Sequence, residues 1–114
     1  MINAVHSILF ARDADAARAF FADVLGLHSV DAGGGWLIFA LPPAELAVHP
    51  ADGDPRQELY LMTDDLTATL DALRERGVRV ESEPADQGWG VLASVEVPGY
   101  GPIGLYEPRH PVPR

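Results

Sequence analysis

The chain of 114 residues has no cysteine and no lysine. The first absence excludes thiol nucleophiles, thiolate metal sites and cysteine redox switching. The second leaves eight arginines, scattered along the chain, against 17 acidic residues, for a formal charge of −9. So acidic a surface opposes phosphate backbones and anionic lipid, and neither nucleic acid nor a membrane is expected as a partner. Long apolar runs are missing as well: none approaches the roughly 18 residues of a membrane span. The start Met1-Ile2-Asn3-Ala4 lacks the basic opening and apolar core of a signal peptide, so the expected location is cytoplasmic. Familiar catalytic motifs are absent too. Ser7, Ser29, Ser82 and Ser94 sit in no Gly-x-Ser-x-Gly pattern. Gly33-Gly34-Gly35 lacks the lysine and helix of a phosphate loop and reads as a hairpin turn.

What is present is one theme written twice. Val5 to Asp13 leads into Ala14 to Leu25, and Gln57 to Asp65 leads into Leu66 to Arg76; each is a short apolar strand, an acidic cap and a helix. His6 and Glu58 hold the same place in both copies, each seven residues before its capping aspartate, Asp13 or Asp65, which gives a repeat of 52 residues. A solenoid of such units needs at least three. This chain has room for two, which must close on each other.

The first unit reads as strand Asn3 to Phe10, helix Ala14 to Leu25 stopped by Gly26, then strands Leu27 to Val30, Gly35 to Leu41 and Ala44 to His49. Asp31 to Gly34 and Pro42-Pro43 divide these strands. The second unit reads as strand Gln57 to Met62, helix Asp65 to Arg76 with Leu66, Leu70 and Leu73 inward, a stop at Gly77, and strands Val78 to Glu81, Gly90 to Val97 and Pro102 to Glu107. The expected organisation is a single α+β domain over residues 1–114. One βαβββ module covers about 1–50, a Pro-, Gly- and Asp-rich linker 50–56, a second βαβββ module about 57–108, and an extended, exposed tail 109–114.

This paired layout, with His6 in the first strand and Glu58 at the matching place in the fifth, resembles the vicinal oxygen chelate superfamily. So do Phe20-Phe21-Ala22-Asp23-Val24-Leu25-Gly26-Leu27 and Gly104-Leu105-Tyr106-Glu107-Pro108. That group includes glyoxalase I, extradiol dioxygenases, fosfomycin-modifying enzymes and bleomycin-binding resistance proteins. The resemblance runs from Val5 to Pro108 and implies a cupped mixed sheet with helices outside and a cavity inside, in a homodimer.

Enzymes of the group hold a divalent cation from four positions, on strands one, four, five and eight, and use it as a Lewis acid. His6 and Glu58 match the first and third, both suited to Mn, Fe, Ni, Co or Zn. The second lies within Ala44 to His49, where one register offers Ala47 and a slip of two residues offers Glu45 or His49. The fourth is Gly104, which has no ligand to give, and Glu107 belongs to the opposite face unless a bulge turns it.

Strand parity gathers Ile8, Phe10, Trp36, Ile38, Tyr60, Met62 and Tyr106 on the cavity face, with Trp89 at the rim. Such a lining suits a flat apolar or aromatic ligand, and equally a packed core without a void. Two functions stay open. One is a metal-free dimer that sequesters a small hydrophobic or aromatic compound, as the bleomycin-resistance branch does, the acidic surface also suiting a cationic ligand. It needs no cofactor, and His6 and Glu58 would then pair as ions. The other is a divalent-metal-dependent lyase, isomerase or dioxygenase using His6, Glu58 and one of Glu45 or His49. His28 and His110 are assigned no role.

Overall fold

In the computed structural model, which describes residues 6–113, aspartates open both helices as their spacing predicts. Helix α1, Ala14–Ala19, begins where Asp13 accepts the Ala16 N–H at 3.0 Å. It continues as a π-helical turn, Phe20–Val24, closed by the Leu25 N–H on the Phe20 carbonyl at 3.1 Å. The extra residue in such a turn lets consecutive side chains face inward. Phe20 and Phe21 are both buried, ring to ring edge-on at 5.5 Å. Helix α2, Leu66–Glu75, starts with Asp65 accepting the Ala68 N–H at 3.0 Å. It stops at Gly77, whose φ of +80° lets Val78 N–H reach back to the Leu73 carbonyl at 3.0 Å.

Among the described residues, six strands accompany the helices. Strands β1, Ser29–Asp31, and β2, Leu37–Phe39, form an antiparallel pair joined by the glycine turn. Strands β3, Tyr60–Met62, β4, Val80–Asp86, β5, Gly90–Val97, and β6, Gly101–Pro108, form a mixed sheet in the order β3-β6-β5-β4. Within this sheet β3 and β6 run parallel, and the other two pairs are antiparallel. Both helices pack on one face of this sheet. Ala17, Phe20, Phe21, Leu66, Leu70 and Leu73 meet Ala93, Val95, Val97, Ile103 and Leu105 in one core. Alternation along β5 and β6 then turns Leu92, Ser94, Gly104 and Tyr106 to the other face, which no helix covers among the described residues.

The second unit is the expected βαβββ; the first is shorter. Residues 6–10 of the expected strand Asn3 to Phe10 form no strand, and 3–5 lie outside the described residues. Ala44 to His49 forms none either, and the strands around the glycine turn shrink to three residues each. A strand persists where a neighbour takes up its N–H and C=O groups. Among the described residues, β1 and β2 pair only with each other, and no strand takes up the backbone of either flanking segment. The radius of gyration, 15.0 Å, accordingly exceeds the about 13 Å of a compact chain this long. No helix is long and apolar enough to cross a membrane among the described residues.

Candidate functional site

The uncovered face is laid out in rows by strand register. Tyr60 stands beside Gly104, Gly104 beside Ser94 and Ser94 beside Ser82, the two serine hydroxyls bonded at 2.8 Å. In the next row Met62 stands beside Tyr106, and Tyr106 beside Leu92. Paired residues of neighbouring strands project to the same side, so two tyrosines and two glycines fall close together. A Cβ at Gly104 would come within 2.2 Å of the Tyr60 ring, and one at Gly90 within 2.3 Å of the Tyr106 ring. Each ring lies over a glycine because only a glycine leaves room for it.

Trp89, in the turn before β5, completes a contiguous aromatic cluster. Its ring meets Tyr106 at 5.3 Å and Tyr106 meets Tyr60 at 6.2 Å, both edge-on. Two carboxylates flank the cluster. The Tyr60 hydroxyl donates to Glu58 Oε1 at 3.0 Å, and Arg56 Nε stands 3.6 Å from Glu58 Oε2. Partial burial, followed by the hydrogen bond to Glu58, raises the Tyr60 phenol above its ordinary value. Tyr106 is raised as well, by burial first and by the charge of Glu45 second. Both phenols therefore keep their protons at neutral pH and act as donors.

The tail, expected to be extended and exposed, bends back over this cluster. Arg109 N–H donates to the Trp89 carbonyl at 2.9 Å, and Arg109 Nη1 meets Asp86 Oδ2 at 2.5 Å. These bonds bring His110 over the Tyr106 ring, with centroids 5.7 Å apart, and its Nε2 bonds to the Tyr106 hydroxyl. Glu45 Oε2 lies 3.6 Å from the same nitrogen. His110 was missed in the sequence because a proline-rich tail carries no periodicity to say which side chain turns inward.

The residues expected to line one cavity are divided. Tyr60, Tyr106 and Trp89 come together; Phe10 and Ile8 are exposed, with no strand to orient them. Trp36 lies under the Arg18 guanidinium at 5.3 Å, on the α1 side. Ile38 borders a shallow cleft of about 220 Å³ with His28, Val30 and Phe39, and Met62 one of about 120 Å³ with Thr63 and Pro108. Both volumes fall below the roughly 300 Å³ of an ordinary small-molecule pocket.

The positions expected to hold a cation do not converge either. Glu58 is engaged by Tyr60 and Arg56 rather than His6, Glu45 lies 3.6 Å from His110 and apart from the others, and both His6 and His49 are exposed. Among the described residues no three histidine or acidic side chains are grouped to hold a metal ion. At the fourth position the Tyr60 ring fills the space a side chain on Gly104 would need. Glu107 accepts the Leu66 N–H at 2.8 Å on the helix side, as its parity predicts. These residues do not fit a divalent ion.

Two helices on one face of a mixed sheet, with an aromatic cluster on the other, define a small α+β scaffold of the glyoxalase type. The sequence profile of the Glyoxalase/Bleomycin resistance protein/Dioxygenase superfamily matches residues 3–108, and the chain belongs to that family. Among solved structures it is similar to TnmS3, an antibiotic binding protein from Streptomyces sp. CB03234, with 29% identity, a TM-score of 0.64, and coverage of 95% of this chain and 99% of that one. It is also similar to a glyoxalase/bleomycin resistance protein from the same Streptomyces strain, with 24% identity, a TM-score of 0.52, and coverage of 85% and 93%. A superfamily member from Sphaerobacter thermophilus DSM 20745 gives 22% identity, a TM-score of 0.65, and coverage of 92% and 97%. These last two likenesses speak for the fold alone. A comparison with curated proteins gave no match.

Proposed function

We propose that the chain is a small-molecule-binding member of its family, acting as a homodimer, that takes up a compact hydrophobic or aromatic compound on the open face of the second sheet. The observation that carries this reading is the Trp89–Tyr106–Tyr60 cluster on a face that no helix covers among the described residues. Edge-on rings at these spacings offer large apolar area with defined orientation. Glu45, Glu58 and the two protonated phenols are the few polar groups that would orient a ligand there. The likeness to an antibiotic binding protein at 29% identity supports the same reading. A metal-dependent lyase, isomerase or dioxygenase is less well supported, because its ligands are scattered or already engaged.

The test is a titration of the full chain with phenols, naphthols and flavonoids, followed through the indole N–H resonance of Trp89, with and without a chelator. Saturable movement of that resonance, unchanged by the chelator, is expected. Binding lost to the chelator would favour the metal-dependent enzyme; no movement with any compound would overturn the binding reading.

A further inference from the structure

Glu45 is the least satisfied group on the open face. It comes from a segment without regular structure, yet its side chain keeps only 21% of its exposure, and Oε1 is shut off from solvent with no hydrogen-bond partner among the described residues. A buried carboxylate oxygen in that state is costly unless a positive or donating group meets it. The group beside it is His110. Its Nδ1 lies 2.7 Å from the Pro111 carbonyl, which can only accept, so Nδ1 carries a hydrogen. Nε2 is taken up by the Tyr106 hydroxyl, and Glu45 Oε2 stands 3.6 Å from it, beyond ordinary hydrogen-bond length. The imidazole sits between a carboxylate and the faces and edges of Tyr106 and Trp89, where a cation would be held by both charge and ring.

We propose that Glu45, Tyr106 and Trp89 form a seat for an organic cation, and that His110 occupies it as a tethered stand-in until a ligand displaces the tail. The proposal rests on the binding reading above and adds the charge of the ligand and the device that guards its site. Arg109 does not compete for the seat, since its guanidinium is taken by Asp86 at 2.5 Å and its N–H by the Trp89 carbonyl. Those two bonds form the hinge about which the rest of the tail would swing. The formal charge of −9 draws cations toward the molecule.

A stand-in that fills its site nine-tenths of the time weakens the apparent affinity of a competitor about tenfold. The probe is para-hydroxyphenyltrimethylammonium, compared with its neutral isostere para-tert-butylphenol, each titrated while the indole N–H of Trp89 is followed and that of Trp36 serves as internal reference. His110→Ala in the full chain, and separately a chain stopped after Pro108, are expected to bind the cation about tenfold more tightly than the unaltered chain. Glu45→Gln is expected to remove the preference for the cation over its isostere. Equal affinity in the unaltered chain, His110→Ala and the shortened chain would overturn the tethered occupant. If both compounds move Trp89 equally and Glu45→Gln changes nothing, the cation seat is overturned while the binding reading stands. If neither compound moves Trp89 in any variant, both are overturned.

Discussion

The ring of Tyr60 lies flat against Gly104 on the neighbouring parallel strand, so close that an added Cβ would meet its Cδ1 at 2.2 Å. No left-handed backbone is involved at this glycine; the constraint is space alone. Gly104→Ala should therefore push the ring off the sheet and cost about 1–3 kcal/mol, the usual range for overpacking. Tyr60→Ala opens the space, so the double variant should recover part of that loss. Chemical denaturation of the four proteins in the cycle gives the coupling directly, and strict additivity would contradict the contact.

Gly99 is constrained twice. Its φ is +78°, and an added Cβ would fall 2.4 Å from the Asp13 carbonyl oxygen, while Asp13 N–H donates to the Gly99 carbonyl at 3.1 Å. This exchange ties the start of α1 to the turn between β5 and β6, fixing the first helix on the second sheet. Gly99→Ala should destabilise by about 2–4 kcal/mol, the sum of backbone strain and a clash with backbone that cannot swing away. Gly53, with open space around it and no left-handed backbone, is the control. Gly53→Ala should leave the denaturation midpoint nearly unchanged.

How much of this was legible follows from how locally each feature is encoded. The caps at Asp13 and Asp65, the stop at Gly77 and the inward face of α2 depend on residues within one or two turns, and they stand as read. Strand parity likewise put Glu107 on the α2 side. The strands at 6–10 and 44–49 depend on a distant edge that alternation cannot supply, so apolar alternation alone over-predicted them. Tyr60, Tyr106 and Trp89, singled out by parity and a glycine-flanked turn, do lie together in the fold. Trp36 had the same parity signal, but its two-stranded ribbon lies elsewhere, against Arg18. His110 left no signal, because its inward turn is set by Arg109 bonding to Trp89 and Asp86 across the fold.

Asp86 gives a pH prediction with a definite sign. The Gly88 backbone N–H, at 2.7 Å, and next the Arg109 guanidinium hold its carboxyl below the ordinary carboxylate value. A folded value below the unfolded one means that the contribution to the Trp89 turn is complete above about pH 4 and fades as pH falls through the lowered value. The Gly88 amide resonance should thus stay fixed from neutral pH down to about 4 and move only in more acid solution. Arg109→Ala removes one of the two causes. It should shift that movement upward in pH, and an unchanged titration would argue against the ion pair.

Phe10, Leu46 and Val48 are 89%, 88% and 87% exposed, and all three lie in segments that no strand receives among the described residues. Isolated apolar side chains on a surface are ordinary, but three nearly bare ones, with Ile8, Val30 and Trp36 exposed as well, are more apolar surface than scattered singles account for. A second copy burying three such side chains from each chain would contribute on the order of 10 kcal/mol at the usual 1.5–3 kcal/mol apiece. That is comparable to the about 4–15 kcal/mol that association costs in lost freedom, and backbone pairing of the unpartnered segments adds to it. The purified protein should therefore run as a dimer by light scattering. Leu46→Asp combined with Val48→Asp should give a monomer with the same far-ultraviolet circular dichroism, since neither residue belongs to the helix and sheet core. A wild-type monomer at micromolar concentration would remove the homodimer from the functional reading.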